Sequence, residues 1–135
     1  MQIIPYIIFK GNCEEALKFY GKALGGETGP ISRYADAPEN PMGMDPDNVM
    51  HTHFVKDGNV LFMASDGPVD ASDSGIVSLS LDFKDSGSIQ SAFAALSDGG
   101  KVTMPLQDTF WGATFGMLQD QYGVKWMFNY DKPKK

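Results

Sequence analysis

Short stretches of the chain alternate apolar and polar residues, the pattern of a strand with one buried face. The clearest stretch covers residues 76–83, and its apolar positions on one side are Val77, Leu79, Leu81 and Phe83. A second stretch, residues 124–129, alternates in the same way. We therefore predict strands in both places, each able to pack one face beneath a helix.

Two other stretches have the spacing of an amphipathic helix. In the first, one apolar stripe contains Cys13, Ala16, Leu17, Tyr20 and Leu24. Asn12 and Glu15 have the spacing of a capping box, with Asn in place of Ser or Thr, and Gly25 stands where a C-cap glycine belongs. A weaker stripe over residues 89–96 ends before a second Gly-Gly pair. Each half of the chain is therefore predicted to contain one helix.

The chain also carries an internal repeat. The pairs Phe9-Lys10 and Gly25-Gly26 recur 74 positions later, whereas the turn Asp57-Gly58 recurs as Tyr122-Gly123 only 65 positions later. An insertion in the first half explains the difference, and a stretch rich in Pro, Gly and Asp at about residues 35–47 supplies it. Duplication of one unit is the interpretation that fits both offsets.

These patterns predict an α+β fold made of two tandem βαβββ modules in a single domain, residues 1–135. Module one covers about residues 1–68 and module two about 74–131, with a linker at about 67–75. A helix would cover one face of each curved mixed sheet. The opposite faces would line a shared concavity, which we call the cup.

Composition excludes several classes of function. The 135 residues include 11 Lys+Arg and 17 Asp+Glu, a net charge of −6. Nucleic-acid binding needs clustered positive charge and is not expected. No apolar run approaches the roughly 20 residues that span a bilayer, and Met1–Phe9 lacks the basic start of a signal peptide. The single cysteine, Cys13, cannot form an intramolecular disulfide, so we expect a cytoplasmic protein.

Several motifs resemble the vicinal oxygen chelate superfamily, which includes glyoxalase I and the extradiol dioxygenases. The match is closest to its PhnB-like branch, often labelled 3-demethylubiquinone-9 3-methyltransferase-like. It covers nearly the whole chain and is carried by Pro5-Tyr6-Ile7-Ile8-Phe9, Gly11-Asn12-Cys13-Glu14-Glu15-Ala16-Leu17-Lys18-Phe19-Tyr20, Val49-Met50-His51, Leu61-Phe62-Met63-Ala64-Ser65-Asp66, Trp111-Gly112 and Asp120-Gln121-Tyr122-Gly123-Val124-Lys125-Trp126-Met127. The resemblance implies the glyoxalase fold, and we expect a homodimer.

The resemblance does not assign a reaction, because this fold hosts many reactions. Methyl transfer is not expected: no glycine-rich strand-to-helix turn followed by an acidic residue occurs, and the βαβββ pattern leaves no room for a doubly wound cofactor domain. Whether the protein is an enzyme stays open at this point.

Metal-dependent relatives place ligands on the first and last strands of each module. The superfamily pattern and the two offsets put these positions at Ile4, Phe62, Ser78 and Met127. A catalytic divalent ion needs imidazole or carboxylate donors, and these side chains supply neither. We therefore expect no metal and no other cofactor, and metal-dependent glyoxalase or dioxygenase chemistry is disfavoured.

The sequence leaves one alternative metal site open. If Asp57-Gly58 forms a two-residue hairpin, His53 lies opposite Phe62, His51 lies opposite Ala64, and both histidines face the cup. Alternate strand positions place the imidazoles about 6.6 Å apart along the chain. The protein would then be a metal-dependent lyase, isomerase or dioxygenase, with Asp66 or Asp82 as the nearest candidate for a third ligand. Otherwise each histidine makes only hydrogen bonds in a half-polar pocket.

The favoured interpretation is a protein that binds a small molecule in the cup, with apolar walls and a few polar groups. The candidate ligand-binding residues are Tyr6, His51, His53, Phe62, Ser78, Ser80, Trp111, Met127 and Asn129. His51 and His53 are the catalytic candidates, because imidazole exchanges protons near neutral pH. Other hypotheses stay open: stoichiometric sequestration of a reactive compound, an assembly protein without a pocket, core packing for Phe62 and Met127, and a dimer contact for Trp111.

Overall fold

The computed structural model describes residues 1–40, 43–69 and 75–133, so Pro41 and Met42 of the predicted insertion and residues 70–74 of the predicted linker lie outside the described residues. The chain divides into two compact units, Met1–Asp70 and Ala71–Lys135. Each unit contains one α-helix and one sheet.

The first unit consists of β1 (Tyr6–Phe9), α1 (Cys13–Leu24), β2 (Glu27–Thr28), β3 (Ser32–Arg33), β4 (Val49–Lys56) and β5 (Asn59–Asp66), with a 3₁₀ turn at Tyr34–Asp36. The strand order is β1-β5-β4-β2, and β3 also pairs with β4. β1 is parallel to β5, whereas β4 is antiparallel to both β5 and β2.

The second unit consists of β6 (Leu79–Phe83), α2 (Ser86–Ser97), β7 (Lys101–Asp108), β8 (Ala113–Gln119) and β9 (Lys125–Asp131). The strand order is β6-β9-β8-β7, again with the outer pair β6–β9 parallel and the remaining pairs antiparallel. The first strand of each unit therefore lies beside the last. The predicted α+β class with mixed sheets is confirmed.

Both helices are 12 residues long. Within the described ranges, neither has the length and apolar character that crossing a bilayer requires.

One face of each sheet packs against the helix of its own unit. In the first unit Tyr20 of α1 contacts Phe9, Phe54 and Phe62, with ring centroids 6.0–6.5 Å apart. In the second, Phe93 of α2 meets Phe128 edge-on at 5.0 Å. We call this side of each sheet the helix face and the opposite side the open face. Because side chains alternate along a strand, neighbours of these core residues lie on the open face.

The start of α1 differs from the predicted capping box. Asn12 precedes the helix but has φ −123° and ψ 27°, outside the extended conformation of an N-cap, and its side chain makes no capping hydrogen bond. The first helical amide, that of Cys13, instead donates to Oδ1 of Asp66 at 2.8 Å. At the other end Gly25 adopts the predicted left-handed conformation, with φ 79°.

Asp66 joins three segments of the first unit. Its side chain accepts the Cys13 amide and also the Val49 amide, the latter at 2.9 Å from Oδ2, while its carbonyl oxygen accepts the Tyr34 hydroxyl at 2.7 Å. The residue is only 2% exposed. A single buried carboxylate therefore connects the end of β5 to the starts of α1 and β4.

The β4–β5 hairpin corrects the predicted register. Lys56 pairs with Asn59 across the Asp57-Gly58 turn, as predicted, but a bulge follows. Beyond it Phe54 pairs with Phe62, His53 with Met63, and Thr52 with Ala64. The predicted pairings of His53 with Phe62 and of His51 with Ala64 are therefore wrong, because the bulge gives β5 one extra residue, Leu61.

Replacing Asp66 by Asn should destabilise the first unit by about 1–3 kcal/mol, because an amide oxygen would replace only one of two buried acceptors. Urea unfolding measures the change, and Asp98→Asn, at an exposed position of the second unit, is the matched control. Equal stability of D66N and D98N would contradict the role given to this carboxylate.

Candidate functional site

Five side chains assigned to the open face of the first sheet come from three neighbouring strands. Phe54 and Phe62 lie under α1. Met63 follows Phe62, and its backbone partners are Tyr6 on β1 and His53 on β4. Paired residues share a face, so these three lie on the open side. The full set, which we call the imidazole face, is Tyr6, Ile8, His51, His53 and Met63.

Tyr6 and His51 form the polar centre of the imidazole face. The Tyr6 hydroxyl lies 3.3 Å from Nδ1 of His51, within hydrogen-bonding distance, and the ring centroids are 5.9 Å apart. Tyr6 is 47% exposed. The contact holds the imidazole by Nδ1 and leaves Nε2 as the nitrogen for another partner.

Gly29 makes room for the second imidazole. Its amide donates to the His53 carbonyl oxygen at 2.8 Å, and the ring of His53 covers its Cα. A Cβ at position 29 would lie 2.4 Å from Nε2 of His53. Only glycine permits this position of the ring, so the break between β2 and β3 helps to place the histidine.

Phe62 is not part of the imidazole face. It is 3% exposed and stacks on Phe54 at 5.2 Å, in the core beneath α1. The register also corrects the offset used to locate it: Tyr6 pairs with Met63, as Ser80 pairs with Met127, so Met63 and not Phe62 corresponds to Met127. Of the two hypotheses for Phe62, packing in the core fits this placement.

The second sheet carries the other polar candidates on its open face. Ser80 pairs with Met127, and Asp82 pairs with Asn129, one position away from the helix-facing Phe128. Ser78 precedes β6 and lines a hollow of about 200 Å³ together with Met117 and Lys125. The prediction that these residues share a cup with Tyr6 and the histidines stays a prediction.

Trp111 lies in the turn between β7 and β8 and is 59% exposed. Its ring meets Phe110 edge-on at 5.0 Å and Phe115 at 6.3 Å. Phe115 pairs with Asn129, so two predicted residues, Trp111 and Asn129, belong to one local surface of the second unit.

The donor set does not fit the metal centre that the superfamily implies. His51 and His53 supply two imidazoles on one face, but a catalytic zinc site takes three protein ligands. Among the described residues no group of three or more His, Cys, Asp or Glu side chains is arranged to hold an ion. Asp66, one suggested third ligand, lies at the end of β5, and its carboxylate accepts hydrogen bonds from the backbone amides of Cys13 and Val49.

Comparison with known proteins identifies the family. The family described as 3-demethylubiquinone-9 3-methyltransferase matches residues 1–128. The chain belongs to this family. It is 33% identical to protein YjdN of Escherichia coli (strain K12), over 98% of this chain and 97% of that protein.

Solved structures agree with this family assignment. Protein PA1353 from Pseudomonas aeruginosa is 38% identical, with a TM-score of 0.85 over 98% of this chain and 99% of that one. A Bacillus cereus protein named as a putative 3-demethylubiquinone-9 3-methyltransferase, PhnB protein, is 30% identical, with a TM-score of 0.79 over 96% and 99%. The resemblance to the PhnB-like branch is confirmed.

The wider resemblance is confirmed at the level of fold. A member of the glyoxalase/bleomycin resistance protein/dioxygenase superfamily from Sphaerobacter thermophilus has a TM-score of 0.53 at 19% identity, over 97% of this chain and 98% of that one.

Sequence reasoning missed Ile8 and Met63 on the imidazole face. Both occupy alternate positions in apolar stretches, where periodicity alone does not show which side faces the helix. Met63 becomes identifiable only once the bulge at Leu61 is known.

Cys13 is a buried structural thiol. It is 0% exposed, and burial raises its pKa to about 12, with the charges of Asp66 and Glu14 acting in the same direction. Reactivity requires the thiolate. We predict that iodoacetamide leaves Cys13 unmodified in the folded protein at neutral pH and modifies it in denaturant. Rapid labelling of the folded protein would contradict this placement.

The raised pKa of Cys13 also predicts that the folded protein loses stability at alkaline pH. The folded pKa of about 12 lies above the ordinary value of 9.0, so the unfolded chain releases this proton first. The stability contribution is fully present below about pH 9.0 and is lost as pH rises toward 12. The free energy of unfolding of Cys13→Ala should fall less steeply over this range than that of the parent. Parallel slopes would contradict the prediction.

Proposed function

We propose that this PhnB-like glyoxalase-fold protein binds a small organic molecule on the imidazole face and exchanges a proton with it at His51. The observation that carries the proposal is the contact between the Tyr6 hydroxyl and Nδ1 of His51, on a face where Ile8 and Met63 supply apolar surface. Apolar walls with a few polar groups are typical of small-molecule sites.

A phenol suits this histidine because it both donates and accepts. When the Tyr6 hydroxyl donates to Nδ1, the proton of neutral His51 lies on Nε2, which then donates a hydrogen bond to a ligand. When Nδ1 carries the proton and donates to the Tyr6 oxygen, Nε2 is a base. A proton that Nε2 accepts from the ligand makes His51 an imidazolium, which can return the proton to the ligand while Nδ1 keeps its hydrogen bond to the Tyr6 oxygen.

The chemistry of the face favours a ligand with oxygen acceptors. The two imidazoles lie at alternate positions of β4, and the phenol lies on β1, with β5 between these two strands. His53 and the Tyr6–His51 pair can each donate a hydrogen bond. A carbonyl, carboxylate or phenolate oxygen would accept these bonds, while Ile8 and Met63 would contact the carbon skeleton. His51 and His53 act here as hydrogen-bonding groups, and no step requires a metal ion.

The name of the family describes a methyltransferase, but the residues favour proton exchange. Cofactor domains of the doubly wound kind use parallel strands with helices on both faces. Each sheet here is mixed, has one parallel strand pair and packs against one helix of its own unit. The proposal therefore rests on the imidazole face and not on the family name.

The test is a screen of small keto acids and hydroxybenzoates for binding. Binding is monitored by NMR, through the ¹H–¹⁵N signals of the imidazoles and the ¹H–¹³C signals of the methionine methyl groups. Binding should shift the signals of His51, His53 and Met63 together. Tyr6→Phe, which keeps the ring and removes the hydroxyl, should weaken binding about two- to tenfold, the value of one hydrogen bond.

Tyr130→Phe is the matched control, because it removes a phenol from the second sheet and should leave affinity unchanged. Compounds that shift the second-sheet signals alone, or bind Y6F and the parent equally, would refute the proposed site. For a keto acid that binds, hydrogen–deuterium exchange at the carbon next to its keto group should depend on His51 and be lost in His51→Ala. Exchange that persists in H51A would contradict the proposed proton transfer at His51.

A further inference from the structure

The second sheet carries a different set of side chains on its open face. Asp82 of β6 pairs with Asn129 of β9, and Asn129 pairs with Phe115 of β8. The chain neighbours of this pair, Phe83 and Phe128, lie on the helix face, where their ring centroids are 6.0 Å apart. A carboxylate, an amide and an aromatic ring therefore form a row across three strands of the second sheet.

The amide in the row holds two carboxylates in place. Nδ2 of Asn129 donates to Oδ1 of Asp82 at 3.0 Å and to Oδ1 of Asp131 at 3.3 Å. The hydrogen bond from Asn129 is the largest cause of a lowered pKa of Asp82, and Lys84 contributes in the same direction. Asp82 is therefore charged at neutral pH, with 57% of its side chain exposed.

The opposite end of the row is aromatic. The rings of Trp111 and Phe115 lie 6.3 Å apart at 64°, and Trp111 is 59% exposed. Aromatic rings pack against one another in offset or edge-to-face arrangements with centroids about 4.5–7 Å apart, so an exposed indole can receive the ring of a ligand. Adjacent strands are about 4.8 Å apart, so the carboxylate and the ring of Phe115 are separated by roughly 10 Å at the backbone.

We propose that this surface binds arylalkyl ammonium ions, with the ammonium group against Asp82 and Asp131 and the aryl ring against Trp111 and Phe115. Both recognition elements favour the same ligand class, because a carboxylate pair selects positive charge and the exposed rings select an aromatic or positively charged body. A neutral or anionic arene would satisfy only the aromatic end.

Lys84 limits affinity at this surface. Its Nζ lies 3.4 Å from Oδ2 of Asp82, and its side chain is 90% exposed. Such an exposed ion pair is weak, so a bound ammonium group competes with the exposed Lys84 ammonium for the carboxylate of Asp82. Removing the Lys84 charge should therefore strengthen binding, a direction that damage to the fold would not produce.

The experiment titrates the whole protein with 2-phenylethylammonium and with the neutral isostere 2-phenylethanol, following the indole ¹⁵N–H signals. Trp111 is exposed and should shift, whereas Trp126, which is 2% exposed and donates to Asp120 at 2.7 Å, reports an intact fold. Saturation by the amine with weaker binding of the alcohol supports the proposal. Equal binding of the two, or no shift of Trp111, overturns it.

Variants separate the two recognition elements. Asp82→Asn and Trp111→Leu should each weaken amine binding about two- to fivefold, and Lys84→Met should strengthen it by a similar factor. Glu39→Gln, which removes an equal charge from an exposed position of the first unit, should have no effect. Unchanged affinity in D82N would show that this carboxylate does not bind the ammonium group, and equal weakening in D82N and E39Q would show attraction to the net charge alone. Either result overturns the proposal.

Discussion

The register of the β4–β5 hairpin determines which residues the first sheet presents to a ligand. A bulge at Leu61 lets Phe54 and Phe62 lie opposite one another, where they stack at 5.2 Å and 15° beneath α1. Burial of two such rings contributes several kcal/mol to folding. Because side chains alternate with a period of two, the same register turns His53 and Met63 to the other side. The imidazole face therefore depends on aromatic packing in the core.

The duplicated units keep one strand order but carry different chemistry. By the pairing of first and last strands, Tyr6 with Met63 corresponds to Ser80 with Met127, and Ile8 with Ser65 corresponds to Asp82 with Asn129. Phenol and imidazole groups thus dominate one open face, and carboxylates with aromatic rings dominate the other. Fold and function are separable here, since the repeated framework leaves open-face positions free to differ.

Local signals in the sequence predicted the local structure well. The apolar stripe of α1 and the left-handed Gly25 follow from spacing and from the freedom of glycine at positive φ. The repeat predicted one helix and one mixed sheet in each half, because both halves alternate and turn at matching positions. The alternation of side chains along a strand correctly placed both histidines on one side of β4, although their predicted pairing partners on β5 were wrong.

The errors arose where distant residues decide local structure. Asn12 looks like an N-cap in isolation, yet the first helical amide, that of Cys13, donates to Asp66, 53 positions later. Phe62 was placed in the site because the turn offset was carried along β5 unchanged. The position of a bulge depends on packing between the sheet and the helix. An apolar run such as Leu61-Phe62-Met63 does not show in its sequence where the bulge lies.

Proton NOEs test the central claim most directly, because they report which side chains are within a few ångströms. The structure predicts NOEs from the Phe62 ring to Tyr20 and Phe54, and from the Tyr6 ring to His51. The methyl group of Met63 should lie with the open-face residues. NOEs from Phe62 to the two imidazoles, with Met63 against α1, would show the register without a bulge and contradict the account.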